Sequence, residues 1–178
     1  MKGVITVASL IGNLTLILEE ICVEYESLLE LSMKKTPVII TGDLDKMAII
    51  TDDERLVISK INKLDQAMGL TMSEIAEVIN KDVSELDLTV VIGFMGPKPE
   101  EQQKLAIVHD RLKNVTQRVT QANEHNRELI SDSLDMIQFE MNILQAAKAA
   151  PGTANYDRSA VTDGSVIGVT ARGFDAKQ

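Results

Sequence analysis

The amino-acid sequence predicts an all-α protein, in which a long antiparallel helical hairpin and a third long helix form an elongated three-helix bundle or coiled coil. Two observations predict this class. Two long runs, one near each end of the chain, place apolar residues at alternating spacings of four and three, the pattern of helices that pack along other helices. Aromatic residues make up only 3% of the 178 residues, and there is no Trp. The core must therefore be built from Leu, Ile, Val and Met, which suits closely packed helices.

The first two helices are predicted to form the hairpin. The first is expected over residues 4–35, and Pro37 marks either its end or a kink, because proline lacks the N–H that a helix interior needs. Gly42 and Asp43 then open a second amphipathic helix, which is predicted to stop near Gly69. Their short connection and similar lengths predict antiparallel packing. The apolar positions of the first helix are Val7, Ile11, Leu14, Leu18, Ile21, Tyr25 and Leu28.

Short helices are predicted in the connection that follows. Thr71 and Glu74 have the spacing of a capping box, in which each side chain satisfies a free backbone N–H, so a short helix is expected directly after Thr71, ending near Asn80. Ser84 and the residue after it are candidates to cap the next segment. The Val-rich run over residues 88–92 could also be a strand, but a lone strand would have no partner, so we predict a helix.

The third long helix is predicted from Pro99 to about Ala150, roughly 50 residues. A helix of this length indicates an extended bundle whose far end lacks enough neighbours to cover it. After it, residues 151–178 are too poor in apolar side chains to offset the entropy of ordering. We therefore predict a helical bundle over residues 1–150 and a disordered, flexible C-terminal tail over residues 151–178. The seam of the third helix is Leu105, Val108, Leu112, Val115, Val119, Ala122, Asn126, Leu129, Ser133, Met136, Glu140 and Ile143.

Composition and charge exclude several classes of function. The net charge of −9 argues against nucleic acid and against anionic membrane surfaces, which both need clustered Lys and Arg. No segment reaches the ~20 apolar residues of a membrane span, so no membrane insertion is expected. Cys22 is the single cysteine, which favours a cytoplasmic protein. The apolar run over residues 4–18 lacks a small-residue cleavage site, and its periodicity continues beyond it, so it is predicted to be helix rather than signal peptide.

Motifs of catalysis and metal binding are missing from the sequence. A di-iron carboxylate site needs Glu-x-x-His turns, but alanines stand three residues before His109 and His125. One cysteine cannot supply a zinc site, and there is no phosphate-binding Gly-rich loop. Carboxylate neighbours such as Glu19 and Glu20 diverge on a helix and are typical of solvated surface. We therefore predict no catalytic residue, no metal, no cofactor and no enzymatic activity.

The third helix carries the clearest candidate for a binding surface. Asn123 and Asn126 lie on one helix face just before Leu129, with Leu134 and Phe139 following. One interpretation is that Asn126 is a buried polar residue that fixes helix register. The other is that a partner helix docks on this face, which is apolar but interrupted by polar residues. The methionines of this region favour docking, because flexible thioethers adapt to more than one apolar surface.

Several segments resemble the FlgN family of flagellar export chaperones. Residues 19–33, EEICVEYESLLELSM, and 41–62, TGDLDKMAIITDDERLVISKIN, resemble the first two helices of that family. Residues 123–139, NEHNRELISDSLDMIQF, resemble its N-x-x-N-x-x-L-[LI] helix. The short segments NYDRS at 155–159 and GFDAK at 173–177 resemble its tail. The resemblance spans most of the chain, with the segments in the order of the family.

This resemblance implies a cytoplasmic chaperone of bacterial flagellum biogenesis. Such a chaperone binds the C-terminal amphipathic helices of the hook–filament junction proteins FlgK and FlgL, prevents their premature assembly and aids delivery to the gate of the flagellar type III secretion apparatus. The implied client contacts are the apolar Leu129, Leu134 and Phe139, with Asn123 and Asn126 for orientation. The implied anchors in the tail, for client or export gate, are Tyr156, Asp157, Phe174 and Asp175.

A coiled-coil scaffold is the alternative that the sequence leaves open. The same apolar stripes could pair with a second copy of the chain and give a homo-oligomer that has no secretion client. The two alternatives differ in oligomeric state. We expect a chaperone of this type to be a monomer or a weak homodimer, whereas a scaffold should remain an oligomer at low concentration.

Overall fold

The structure is a computed structural model that describes residues 7–83, 86–94 and 99–149. These ranges contain four α-helices and no strand, so the predicted all-α class is confirmed. The helices are α1 (Val7–Thr41), α2 (Leu44–Ile79), α3 (Leu88–Phe94) and α4 (Pro99–Ala149). The helix prediction for the Val-rich run over residues 88–92 is also confirmed. The chain divides into two compact units, Met1–Gln138 and Phe139–Gln178.

Gly42 and Asp43 connect α1 to α2, as the sequence predicted. Gly42 has φ +66°, a left-handed conformation that glycine adopts without strain. Its N–H donates to the carbonyl of Ile39 at 3.1 Å, and the N–H of Asp43 donates to Val38 at 3.2 Å, which closes α1. Asp43 then caps α2, because its Oδ1 accepts from the N–H of Lys46 at 3.0 Å. The chain therefore reverses direction in two residues.

Side-chain contacts confirm that α1 and α2 run antiparallel. The contacts involve progressively later residues of α1 and progressively earlier residues of α2, as an antiparallel pair requires. They are Asn13 with Thr71 at 3.2 Å, Glu24 with Lys60 at 3.2 Å, and a short ion pair of Lys35 with Glu54.

Helix α1 continues through Pro37 to Thr41, six residues beyond the expected end. Pro37 therefore does not end the helix, which was one of the two outcomes predicted for it. Proline is tolerated here near the C-terminal end of α1, where the lost N–H removes one hydrogen bond from a long helix that is held by packing on both sides. The hydroxyl of Thr41 donates to the carbonyl of Pro37 at 3.1 Å.

The prediction that the second helix stops near Gly69 is wrong, because α2 continues to Ile79. The capping box at Thr71 is wrong for the same reason. Thr71 is buried inside the helix, where its hydroxyl donates to the carbonyl of Ala67 at 3.1 Å and accepts from Asn13. The expected end near Asn80 is confirmed: Asn80 has φ 55° and its backbone N–H closes the last turn.

Asp87 caps the short helix α3. Its Oδ1 accepts from the N–H of Val90 at 2.7 Å, and its carbonyl accepts from the N–H of Val91 at 3.0 Å. Ser84 and the residue after it, the predicted capping positions, lie outside the described residues.

The core is aliphatic, as the composition predicted, and forms two clusters. The first joins the first half of α1 to the end of α2, to α3 and to the first part of α4, and Val91 of α3 is fully buried in it. Its buried members are Leu10, Ile11, Leu14, Leu18, Ile21, Cys22, Ile75, Ala76, Leu86, Val91, Leu105 and Val108. The second joins Leu28, Leu29, Ile61, Val115 and Val119. Full burial of each such aliphatic side chain contributes roughly 1.5–3 kcal/mol.

Candidate partner-binding site on α4

Helix α4 lies alongside α1 and parallel to it. The thiol of Cys22 is 3.7 Å from the carbonyl oxygen of Val108, and Thr36 Oγ1 is 2.7 Å from Asn126 Oδ1. These pairs are separated by 86 and 90 residues in the sequence. Because α1 ends at Thr41, its end lies level with about residue 130 of α4.

The predicted seam of α4 is buried up to that level and uncovered beyond it. Leu105, Val108, Val115, Val119 and Asn126 are all buried against the rest of the first unit. From residue 130 to residue 138, where the first unit ends, every residue is exposed. This part of α4 keeps its helical conformation without burying a face in the described part of the unit.

The uncovered part of α4 carries an apolar face of its own. Ile130, Leu134 and Ile137 follow one another at spacings of four and three, and their side chains are 41%, 60% and 55% exposed. We call these three residues the distal stripe. They stand one position after the seam residues, so the distal stripe is rotated by about 100° from the face that packs on α1. The equivalent positions closer to the start of α4 are polar: His109, Lys113, Thr116, Thr120, Asn123 and Arg127.

The borders of the distal stripe are polar and mostly acidic. Glu128, Asp132 and Asp135 lie within this stretch, against a single cation at Arg127. The hydroxyl of Ser133 is turned back to the carbonyl of Leu129 at 2.7 Å, so it offers little to a partner. An apolar stripe with acidic borders matches a partner helix that has an apolar face and basic flanks.

The two predicted asparagines contact α1. Asn126 is 3% exposed, and its Nδ2 donates to the carbonyl of Ser32 at 2.7 Å while its Oδ1 accepts from the hydroxyl of Thr36 at 2.7 Å. Asn123 is exposed, but its Oδ1 accepts from the hydroxyl of Ser32 at 3.0 Å. The side chain of Asn126 is therefore closed to a partner in this arrangement, and its hydrogen bonds are those of a residue that fixes register.

The apolar residues predicted as client contacts differ in their burial and in the unit to which they belong. Leu129 is half-buried, and Leu134 lies in the distal stripe. Phe139 is exposed and opens the second unit, whose described residues, 139–149, also expose Met141, Ile143 and Leu144. The predicted tail anchors lie outside the described residues; they are Tyr156, Asp157, Phe174 and Asp175.

Ile130 and Ile137 are exposed apolar residues that the sequence analysis did not single out. A signal for them exists in the sequence, since the apolar pattern moves by one position after Asn126. The predicted seam kept its original spacing after Asn126 and did not follow this shift. Its later members therefore include the polar Ser133 and Glu140.

The described residues show few of the features that catalysis or metal binding requires. No three side chains of His, Cys, Asp and Glu within those ranges are grouped so that they could hold a metal ion. Cys22 is buried, and burial raises the pKa of its thiol, although the nearby Arg111 acts in the opposite direction. A neutral thiol is a poor nucleophile. None of the described helices has a stretch long and apolar enough to cross a membrane.

Comparison with known proteins identifies the family. The sequence model of the family described as FlgN protein matches residues 1–164, which include all four helices. No curated protein and no solved structure matches the chain. FlgN proteins are chaperones of flagellar export rather than enzymes. Since the match covers most of the 178 residues, the chain belongs to the FlgN family of flagellar export chaperones.

Proposed function

We propose that this protein is a cytoplasmic chaperone that binds the C-terminal amphipathic helices of the hook–filament junction proteins FlgK and FlgL, and that the distal stripe is the surface that receives them. The observation that carries the proposal is the uncovered apolar face of α4 at Ile130, Leu134 and Ile137, past the end of α1. Family membership supports the chaperone function in general. The exposed face supports the choice of surface.

Binding in this mode lays one amphipathic helix along another. A client helix that polymerises when free would bury its apolar face on the distal stripe, so assembly would be delayed until release. Each of the three aliphatic side chains contributes at most roughly 1.5–3 kcal/mol on burial, and association and ordering costs offset much of it. The expected affinity is moderate, as a chaperone that must release its client requires.

Asn123 and Asn126 support this surface indirectly. Their hydrogen bonds to Ser32 and Thr36 fix the register of α4 on α1, and the register decides which residues of α4 lie past the end of α1. Leu129, half-buried at the edge of this surface, completes it on the side nearer to α1. Phe139 is a further proposed client contact, in the second unit.

The test is a calorimetric titration of the full chain with a peptide that covers the C-terminal helix of FlgK or FlgL. The wild type should bind one to one. The double variant Leu134→Ala and Ile137→Ala should bind about tenfold more weakly or worse, because it removes most of the apolar face. Both residues are exposed, so circular dichroism should show unchanged helicity.

The matched control is the double variant Ile49→Ala and Leu56→Ala on α2. These two side chains are 63% and 65% exposed and stand seven residues apart on one helix face. Their loss should leave the client affinity within about twofold of the wild type, a change of less than about 0.5 kcal/mol. Wild-type affinity in the Leu134 and Ile137 variant would remove the distal stripe from the proposal.

The tail is proposed to act at a second step. Tyr156 and Phe174 are the two aromatic residues of positions 151–178, each is followed by an aspartate, Asp157 or Asp175, and we propose that these four residues contact client or export gate. A chain cut after Ala150 should then lose at least one partner interaction. Retention of every client and gate interaction by this shorter chain would contradict the role of the tail.

A homo-oligomeric scaffold is the second candidate, and the distal stripe favours it as well. Apolar residues at spacings of four and three could pair with the same stripe of a second copy. Light scattering over a dilution series separates the two functions. A mass that stays above that of the monomer at low concentration, and falls with the Leu134 and Ile137 changes, would favour the scaffold.

A further inference from the structure

Helix α1 is apolar on more of its surface than its neighbours can cover. Ten of its residues are buried against α2, α3 and α4. Leu16 and Val23 are 60% and 51% exposed, although they lie in the middle of the helix. They share a face with Gly12 and Glu19, at spacings of four, three and four. Helices with apolar residues on every side are usually covered on every side, so the face of Leu16 and Val23 is an uncovered exception.

This face borders two shallow, open depressions of the surface, of about 380 and 660 Å³, and we call the surface that they form the α1 groove. Both depressions include Leu16 and Glu19 in their linings. Lys104 of α4 borders the first, whereas Arg111 of α4 and Leu64 of α2 border the second. Gly12 lines the first depression, and a Cβ added to it would meet no atom within 4 Å.

The free charges of the α1 groove are acidic. Arg111 is already engaged, because its guanidinium donates to both carboxylate oxygens of Glu26 at 2.9 and 2.8 Å. Glu24, on the same side, accepts from Lys60. Glu19 and Glu20, in contrast, make no hydrogen bond or ion pair within the described part of the chain, although Glu19 is close enough to raise the pKa of the Arg111 guanidinium. Because Glu26 already pairs with Arg111, the cation left to balance Glu19 and Glu20 in these linings is Lys104.

We propose that the α1 groove is a second docking surface, which receives a basic amphipathic helix of another protein. Leu16 and Val23 stand about two helical turns apart, so a helix of roughly three turns with apolar residues at i and i+7 would span them. Lys or Arg residues beside that apolar face would pair with Glu19 and Glu20. A helix in this position would pack along the outward face of α1.

The surface is separate from the distal stripe and does not depend on it. The α1 groove lies along the first half of α1, whereas the distal stripe lies past its C-terminal end. One chaperone molecule could therefore hold a client helix on α4 and a second, basic partner on α1 at the same time.

The test uses a synthetic helical peptide of about 18 residues, with Leu at i and i+7, Lys at the flanking positions and one Trp. The protein has no Trp, so the fluorescence of the peptide reports binding without background. The full chain should bind it, and the double variant Leu16→Ser and Val23→Ser should bind about tenfold more weakly. The double variant Glu19→Gln and Glu20→Gln should bind several-fold more weakly at low salt and lose this difference at high salt.

Three controls complete the experiment. Ile49→Ser with Leu56→Ser removes a matched exposed pair on α2 and should bind like the wild type. The peptide with Glu in place of Lys should bind poorly. Gly12→Met should also weaken binding, because it fills the open end of the α1 groove while giving the helix a better helix former.

Two results would overturn the proposal. One is equal binding by the wild type and the Leu16 and Val23 variant, with the Gly12→Met variant also unaffected. The other is a dimer in light scattering that dissociates in the Leu16 and Val23 variant, which would make a second copy of the chain the occupant. The Leu134 and Ile137 variant should bind this peptide normally, so failure of the α1 groove and failure of the client surface are distinguishable.

Discussion

Asn126 fixes the position of α4 along α1, and this position decides which part of α4 lies past the end of α1. Its amide donates to the carbonyl of Ser32 and accepts from the hydroxyl of Thr36, the residue before Pro37. A shift of α4 by one residue along α1 would move this amide away from both partners and leave buried polar atoms unpaired. The polar contact therefore selects one register among several that aliphatic packing alone would tolerate.

Replacing Asn126 by Ala should lower the free energy of unfolding by about 1–3 kcal/mol, because the carbonyl of Ser32 loses its close donor, the hydroxyl of Thr36 keeps only its 3.5 Å contact with that carbonyl, and a small void remains. Urea unfolding followed by circular dichroism measures the change, and the dependence on urea concentration should keep its slope. Thr120→Ala is the control on the same helix. It removes an exposed hydroxyl that donates only to the carbonyl of Thr116 within α4, and should change the free energy of unfolding by less than about 0.5 kcal/mol. Equal losses in the two variants would contradict the assignment.

Residue patterns predicted which positions matter on α4 but not what each position contacts. The spacing of Asn123 and Asn126 placed both on one face, and the sequence left a register role and a docking role open. Periodicity gives the face of a helix, whereas the identity of the neighbour depends on where α1 ends. That end was predicted at residue 35, six residues short of Thr41, so the start of the uncovered region could not be located.

At the scale of elements, the hairpin depends on the two residues between α1 and α2. Gly42 supplies the left-handed conformation that closes α1, and Asp43 supplies the cap that opens α2. This turn was predictable because both signals are local to the sequence. Gly69 gave a similar local signal, but α2 continues through it. The cost of one glycine in a helix is about 1 kcal/mol, which the burial of Ile75 and Ala76 in the next turns exceeds.

The two glycines should therefore respond to Ala in opposite directions. Gly42→Ala should destabilise the protein by about 1 kcal/mol or more, because a Cβ is strained at φ +66° even though no atom lies within 4 Å of it. Gly69→Ala should stabilise it by about 0.5–1 kcal/mol, because it replaces a poor helix former inside α2 with the best one. Thermal unfolding of both variants measures the pair, and changes of the same sign would contradict the assigned boundaries of α2.

At the scale of the whole molecule, both core clusters lie well before the end of α4. The last buried apolar residue of the clusters is Val119, and Asn126 is the last buried residue of the described chain. The composition predicted an aliphatic helical core of this kind. The division of the chain at residue 138 was not predicted, since the apolar periodicity of the sequence continues across it.

A chain cut after Ala150 should unfold within about 2 °C of the full chain, because the described members of both core clusters all lie before residue 123. Differential scanning calorimetry gives both melting temperatures. A control cut after Gly69 should fail to fold, since it removes Ile75 and Ala76 from the first cluster together with all of α4. A large loss of stability in the longer fragment would show that the core extends beyond the two clusters described.

The most direct test of the chaperone account is hydrogen–deuterium exchange on the full chain, with and without the C-terminal helix of FlgK. Residues 130–138 are exposed in the free protein, and their amides should exchange readily because no packing holds this part of the helix closed. The account predicts that bound client slows exchange there and leaves residues 49–56 of α2 unchanged. Client binding that protects other helices while residues 130–138 exchange as before would contradict it.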